Sequence, residues 1–129
     1  MGVKDEAARL HESGFNCAQS VLCACREYTG LEDASALAVS GGFGGGVRCG
    51  EICGAVSGAV MAVGAAYPFS DAENSEAKKR IAAKTCEVTR AFKEQFGCLR
   101  CFELKSNRVS CAELIGFGAE TAEKIINNK

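Results

Sequence analysis

The sequence predicts an all-α protein, built as a single-domain bundle of five to six helices with a glycine-rich loop before the central helix. Three observations predict this class. Apolar residues recur every three or four positions in several segments, no segment alternates apolar and polar residues as a strand does, and proline occurs once. The length of 129 residues suits one hydrophobic core. We therefore expect residues 1 to 129 to form a single domain.

The first four helices are recognised mainly by where they end. An apolar face over residues 3 to 12 precedes Gly14, and a second helix over residues 16 to 29 ends at Gly30, a residue typical of the position after a helix. A short third helix is predicted over about residues 32 to 40. The fourth and central helix runs from about 51 to 66 and stops before Pro68.

The last two helices have the clearest periodicity. Six residues of the fifth helix recur at spacings of four, four, three, four and four, the pattern of a core-facing stripe: Ala77, Ile81, Thr85, Val88, Phe92 and Phe96. The sixth helix, over residues 110 to 127, repeats small and apolar residues with the same period. Because no candidate strand competes with these segments, the pattern favours a helical bundle.

Charge and hydropathy disfavour several classes of function. The formal net charge is -1 and no basic run is present, so nothing favours binding to nucleic acid, which needs a cationic surface. The N-terminal segment lacks the apolar stretch of a secretory signal. The longest apolar run, residues 52 to 67, is too short and too rich in glycine to cross a membrane. We therefore expect a cytoplasmic protein that does not insert into membranes.

Nine cysteines are the most informative feature of the composition. In a reducing compartment, cysteines at this density more often serve metal or redox chemistry than permanent cross-links. Cys17 follows Asn16 and Cys111 follows Ser110, in patterns that resemble a capping box and place both thiols in the first turn of a helix. Cys53 opens the central helix in the same way. The start of a helix favours the reactive thiolate form of cysteine.

A glycine-rich run, GGFGGGVRCGEICG, leads into the central helix. Glycines permit left-handed backbone angles, so that successive N–H groups can surround a thiolate, a cluster sulfide or another anion. We predict that this cofactor-binding cradle is formed by Gly44, Gly45, Gly46, Gly50 and Gly54. The run is not a nucleotide-binding loop of the usual type, because no Lys-Ser or Lys-Thr pair follows it.

Small residues form a row along the central helix. Gly54, Gly58 and Ala62 are spaced four apart and lie on one face, where a neighbouring helix can approach closely. We expect a second cysteine-bearing helix to pack there. In an alternative interpretation the alanine and glycine face forms a homodimer.

The remaining cysteine pairs are less specific. Cys98 and Cys101 have the C-x-x-C spacing shared by redox dithiols and metal sites, and Phe102 in place of histidine excludes covalent haem attachment. Cys23 and Cys25 lie two apart on a predicted helix and point in different directions. One of this second pair is therefore expected to fill the core.

Four cysteine segments together carry a family resemblance: Cys17 in FNCAQSVL, Cys53 in GEICGAVSG, Cys101 in CFEL and Cys111 in CAEL. Over nearly its whole length the chain resembles the redox-active protein family named for its C_GCAxxG_C_C cysteine signature. The resemblance implies a small all-α domain in which these four thiols are the signature residues. A similar domain accompanies haem-binding segments in split-Soret cytochromes, where an iron-sulfur centre is present, but the haem function does not carry over to this chain.

Three functions are open on this basis. The first is an oxidoreductase or electron-transfer protein with an unidentified redox partner, whose four signature cysteines converge to bind an iron-sulfur cluster or to cycle between dithiol and disulfide. The second is a structural zinc site that uses the same cysteines, with Cys98 as a further candidate ligand. The third is a helical interaction protein whose cysteines are core residues.

Overall fold

The computed structural model describes residues 2–128, and α-helices are their main regular element. Eight of them follow in order: α1 (Val3–Glu12), α2 (Cys17–Ala24), α3 (Arg26–Thr29), α4 (Asp33–Ser40), α5 (Gly54–Ala66), α6 (Ser75–Phe96), α7 (Cys101–Ser106) and α8 (Cys111–Asn127). The predicted all-α class is confirmed. Within the described residues, every helix is too short or too polar to pass through a bilayer.

The predicted number of five to six helices is corrected to eight within residues 2–128. The helix predicted over residues 16 to 29 is two helices, because the backbone of Cys25 (φ -94°, ψ 19°) leaves the helical region between α2 and α3. The six-residue helix α7 was not predicted. A helix of that length makes fewer than two turns and shows no apolar period.

Where the sequence predicts a glycine-rich loop, the chain forms two short turns. Gly41–Phe43 is a 3-10 turn, and Gly46–Gly50 is a wider turn in which the N–H of Glu51 donates to the oxygen of Gly46 at 3.0 Å. Five residues here have left-handed backbone angles: Gly45, Gly46, Val47, Arg48 and Gly50. Such angles cost little at glycine but are strained at Val47, which is β-branched.

The apolar stripe of α6 faces inward along its length. All six residues of the stripe are buried or half-buried, and Val88 and Phe92 are fully covered. Phe117 of α8 packs edge to face against Phe92 and Phe96, with ring centroids 5.0 and 5.1 Å apart. This aromatic cluster joins the C-terminal half of α6 to α8.

Glycines bring α2, α5 and α8 into close contact. A Cβ atom added at Gly58 of α5 would lie 2.7 Å from the carbonyl oxygen of Ala18 in α2. On α8, a Cβ atom added at Gly118 would lie 3.1 Å from the carbonyl oxygen of Ala55 in α5. The expected close packing of a second cysteine-bearing helix on α5 is confirmed, since α2 begins with Cys17. This face of α5 is buried within the chain at Gly54, Gly58 and Ala62, so it does not support a homodimer through these residues, which stays a prediction.

We predict opposite effects of two alanine substitutions on α5. Gly58→Ala should lower the free energy of unfolding by about 1 to 3 kcal/mol, because the new methyl group overlaps the backbone of α2. Gly64→Ala should raise it by about 0.5 to 1 kcal/mol, since nothing lies within 4 Å of the added Cβ atom and alanine favours the helix. Urea unfolding followed by circular dichroism measures both. Equal destabilisation by the two changes would contradict the close contact of α2 with α5.

A candidate four-cysteine site

Four cysteines from the starts of four helices line one small cavity. The residues around it are Cys17, Gly45, Cys53, Gly54, Cys101, Lys105, Val109, Cys111 and Leu114. Its volume is about 40 Å³, which is about three times the space that one water molecule needs. The structure therefore brings together thiols that are far apart in the sequence.

The four thiols lie at two depths. Cys53 and Cys101 are 3% and 9% exposed, whereas Cys17 and Cys111 are half-buried. Lys105 lines the same cavity and is exposed. The more exposed part of the lining therefore consists of the first residues of α2 and α8 together with Lys105. The sequence alone does not identify this lysine as a site residue, because a single lysine in a polar segment is not distinctive.

Local capping fixes two of the cysteines. Cys17 is the first residue of α2, where the N–H of Gln19 donates to Oδ1 of Asn16 at 2.9 Å and the N–H of Asn16 donates to Oε1 of Gln19 at 3.0 Å. Cys111 is the first residue of α8, whose cap Ser110 accepts from a backbone N–H through its Oγ at 3.1 Å. These capping patterns are visible in the sequence, and both helices begin where they predict.

Long-range pairing fixes the other two cysteines. The N–H of Cys53 donates to the oxygen of Leu99 at 2.8 Å, and the N–H of Cys101 donates to the oxygen of Glu51 at 2.7 Å. The guanidinium of Arg100 then holds the carboxylate of Glu51, with nitrogen to oxygen distances of 3.1 and 3.2 Å. This antiparallel bridge sets the start of α5 beside the start of α7. Because Glu51 and Cys53 take part in this bridge, the central helix begins at Gly54 and not at the predicted residue 51.

Three of the predicted cradle glycines contact the site. Gly45 and Gly54 line the cavity, and a Cβ atom at Gly54 would lie 3.2 Å from Cβ of Cys17. Gly46 packs against Cys101 without lining the cavity. A Cβ atom there would lie 2.9 Å from Cβ of Cys101 and would overlap the backbone of Glu51. A side chain at residue 46 would therefore overlap the backbone of Glu51 and Cβ of Cys101, and one at residue 54 would be tightly packed against Cys17.

The other two predicted glycines stand outside the cavity wall. A Cβ atom at Gly44 would lie 2.9 Å from Cβ of Asn16, the cap of α2. The side-chain amide of Asn16 in turn donates to the oxygen of Gly41 at 3.0 Å. Gly50 packs against Phe102, with 3.3 Å from an added Cβ atom to the phenylalanine Cβ. Both glycines shape the turns around the site without lining it.

Burial raises the pKa of two thiols that line the cavity. Burial raises the pKa of Cys17 above its usual range, and the nearby sulfurs of Cys111 and Cys53 raise it further. Burial also raises the pKa of Cys53, although the backbone N–H groups of Ala55 and Val56 act in the opposite direction. Ionised sulfurs in this cavity therefore need a positive partner.

The donor side chains do not form a ready-made site for one metal ion within the described residues. As the side chains stand, no three His, Cys, Asp or Glu residues within residues 2–128 are close enough together to hold one ion. A tetrahedral zinc with four thiolates at about 2.3 Å needs its sulfurs about 3.8 Å apart. An iron-sulfur cluster distributes its four cysteines over different irons and accepts wider spacing.

Several predicted assignments fall outside the cavity. Cys98, a candidate ligand from its C-x-x-C spacing, does not line it: its thiol lies 3.9 Å from the oxygen of Phe96 and 4.0 Å from the side-chain nitrogen of Asn107. Cys101 is the member of that pair that faces the site.

Cys23 and Cys25 are both in the core, 1% and 0% exposed, which corrects the expectation that only one of them fills it.

Burial predicts the order in which the cysteines outside the site react. Cys49 and Cys86 are exposed, whereas Cys25 is fully buried and burial raises its pKa to about 12. In native protein at about pH 8, only about one Cys25 side chain in ten thousand is a thiolate. We expect iodoacetamide to modify Cys49 and Cys86 first and Cys25 only after unfolding. Peptide mass spectrometry over time measures this order, and Cys25 reacting as fast as Cys86 would contradict it.

The match to known protein families covers this arrangement. The chain matches the family described as "Putative redox-active protein (C_GCAxxG_C_C)" over residues 15–125. That span contains all four cysteines of the cavity. No curated protein and no solved structure matches the chain. Because the match extends over most of its length, the chain belongs to this C_GCAxxG_C_C protein family.

Proposed function

We propose that this protein is a cytoplasmic electron-transfer protein or oxidoreductase with an iron-sulfur cluster held by Cys17, Cys53, Cys101 and Cys111. The observation that carries the proposal is that these four thiols, and none of the other five, line one cavity. Four cysteine thiolates are the usual ligand set of such clusters, which supply reversible one-electron chemistry when bound.

The ends of the helices supply the electrostatic environment that this ligand set needs. Backbone N–H groups at the start of a helix have no partner within the helix, and they carry the positive end of its dipole. The starts of α2, α5 and α8 all adjoin the cavity through Cys17, Cys53 and Cys111. Thiolates and a negatively charged cluster are both stabilised there.

The depth of the site suits exchange of electrons with a separate partner. Cys53 and Cys101 are buried, which shields one side of the site from water. Cys17 and Cys111 are half-buried and lie at the opening. A redox partner can therefore approach the site without any rearrangement of the core.

A dithiol site is the second candidate, and one observation favours it. Cys111 lies beside Cys17 in the cavity and, after burial, adds to the raised pKa of that thiol. Oxidation of this pair would form one disulfide and release two protons and two electrons to an oxidising partner. Zinc is a weaker candidate because, as the described side chains stand, no three of these donors are grouped closely enough to hold one ion.

Metal analysis of serine variants tests the proposal directly. We expect protein purified without oxygen and without a metal-affinity tag to contain iron and acid-labile sulfide and to absorb visible light. Cys53→Ser should lose most of both, because it removes a ligand from the buried side of the cavity. Cys98→Ser should keep them, and it is the matched control because the same atom changes outside the cavity.

The other outcomes separate the alternatives. A colourless protein with one zinc per chain would overturn the cluster in favour of a structural site. A colourless, metal-free protein in which Cys17 and Cys111 reversibly form a disulfide would favour the dithiol site. Retention of iron by Cys53→Ser would contradict the ligand set.

Two glycine variants test whether the turn supports the site. Gly45 and Gly46 both have left-handed backbones, with φ of 62° and 64°, so alanine costs about 1 to 2 kcal/mol of backbone strain at either residue. Only at Gly46 does the added methyl group collide with Cys101, since nothing lies within 4 Å at Gly45. We expect Gly46→Ala to lose bound iron and Gly45→Ala to retain it. Iron assays on variants of equal helix content measure this, and equal retention would contradict the supporting role.

A further inference from the structure

One charged residue lines the four-cysteine cavity, and it is Lys105. We propose that Lys105 is the counter-charge of the site: it stabilises the more negative, reduced state of the cysteines and favours anionic over neutral small molecules that approach their sulfurs. The proposal rests on the proposed function in one respect, that these four cysteines are the redox centre.

The position of Lys105 supports this role. It lies in the last turn of α7, four residues after Cys101, and its side chain is exposed. Cys17 and Cys111 are the two cysteines on the open side of the cavity. A reactant that enters this cavity from solvent is therefore close to the lysine as well as to these two sulfurs.

The charge of Lys105 is not neutralised nearby. The ion pairs within residues 2–128 do not include it, and no carboxylate lines the cavity. The nearest acid in the sequence, Glu103, pairs with Arg100 at 3.7 Å. The starts of α2, α5 and α8 add positive potential of the same sign. The wall of the cavity is therefore positive on balance.

A positively charged cavity wall favours the reduced state of the site, whether the site holds a cluster or a dithiol. Reduction adds one electron to a cluster, or two electrons open a disulfide into two thiolates, and in both cases the reduced site is more negative. A unit charge at the opening, partly screened by salt, should change the ratio of reduced to oxidised protein by about two- to fivefold. For a one-electron couple this ratio corresponds to about 18 to 41 mV, at 59 mV per tenfold change.

The first experiment uses the reduced, metal-free full chain and two alkylating reagents. Iodoacetate is an anion and iodoacetamide is neutral, so the ratio of their rates at Cys17 and Cys111 reports the local potential. We expect Lys105→Gln to lower this ratio about two- to fivefold and Lys105→Arg to preserve it. Lys79→Gln is the matched control, because Lys79 is exposed on α6 and does not line the cavity. The ratio at Cys86 in the same molecules should not change, and circular dichroism shows whether each variant remains folded.

The second experiment measures the midpoint potential of the protein as purified. Lys105→Gln should shift the potential in the negative direction, while Lys105→Arg and Lys79→Gln should leave it unchanged. If Lys105→Gln changes neither the alkylation ratio nor the potential, the proposal is overturned even though the cluster is present. If the protein contains no iron and forms no disulfide but the alkylation ratio still falls, the redox function fails and the anion preference of the cavity stands.

Discussion

The contact of α2 with α5 determines where the rest of the fold can lie. The carbonyl oxygen of Ala18 stands so close to Gly58 that no side chain fits between the two backbones. Because the helices meet at this distance, the start of α2 and the start of α5 fall side by side, and Cys17 meets Cys53. A larger residue at Gly58 would separate the two sulfurs as well as the two helices. The packing of α2 on α5 therefore also brings two cysteines of the site together.

Within this frame the cavity balances two opposing requirements. Burial keeps water away from Cys53 and Cys101 but disfavours charged sulfur, as the raised pKa values of Cys17 and Cys53 show. In the proposed function, the N–H groups at the starts of α2, α5 and α8 and the charge of Lys105 offset that cost. A protein that needed only a stable core would place apolar side chains here, so four cysteine thiols around one cavity are typical of a functional site.

The sequence predicts those parts of the fold and site that depend on neighbouring residues. The stripe of α6 and the capped starts of α2 and α8 are local patterns, and they were placed correctly. The break at Cys25 and the short helix α7 were missed, since neither has a glycine, a proline or a sustained apolar period to mark it. The true start of α5 depends on hydrogen bonds to residues 99 and 101, which no local pattern shows. Lys105 is missed for the same reason, because only the fold brings it to the cavity.

The separation of the four cysteines along the chain has a consequence for biosynthesis. Cys17 lies near the beginning of the chain, whereas Cys111 is the first residue of the last helix. While α8 is still inside the ribosome, the emerging chain offers at most three of the four thiols, and the cavity lacks one wall. All four thiols can therefore share the cavity only after translation has passed the start of α8. A product that ends before α8 would lack Cys111 and with it one wall of the cavity.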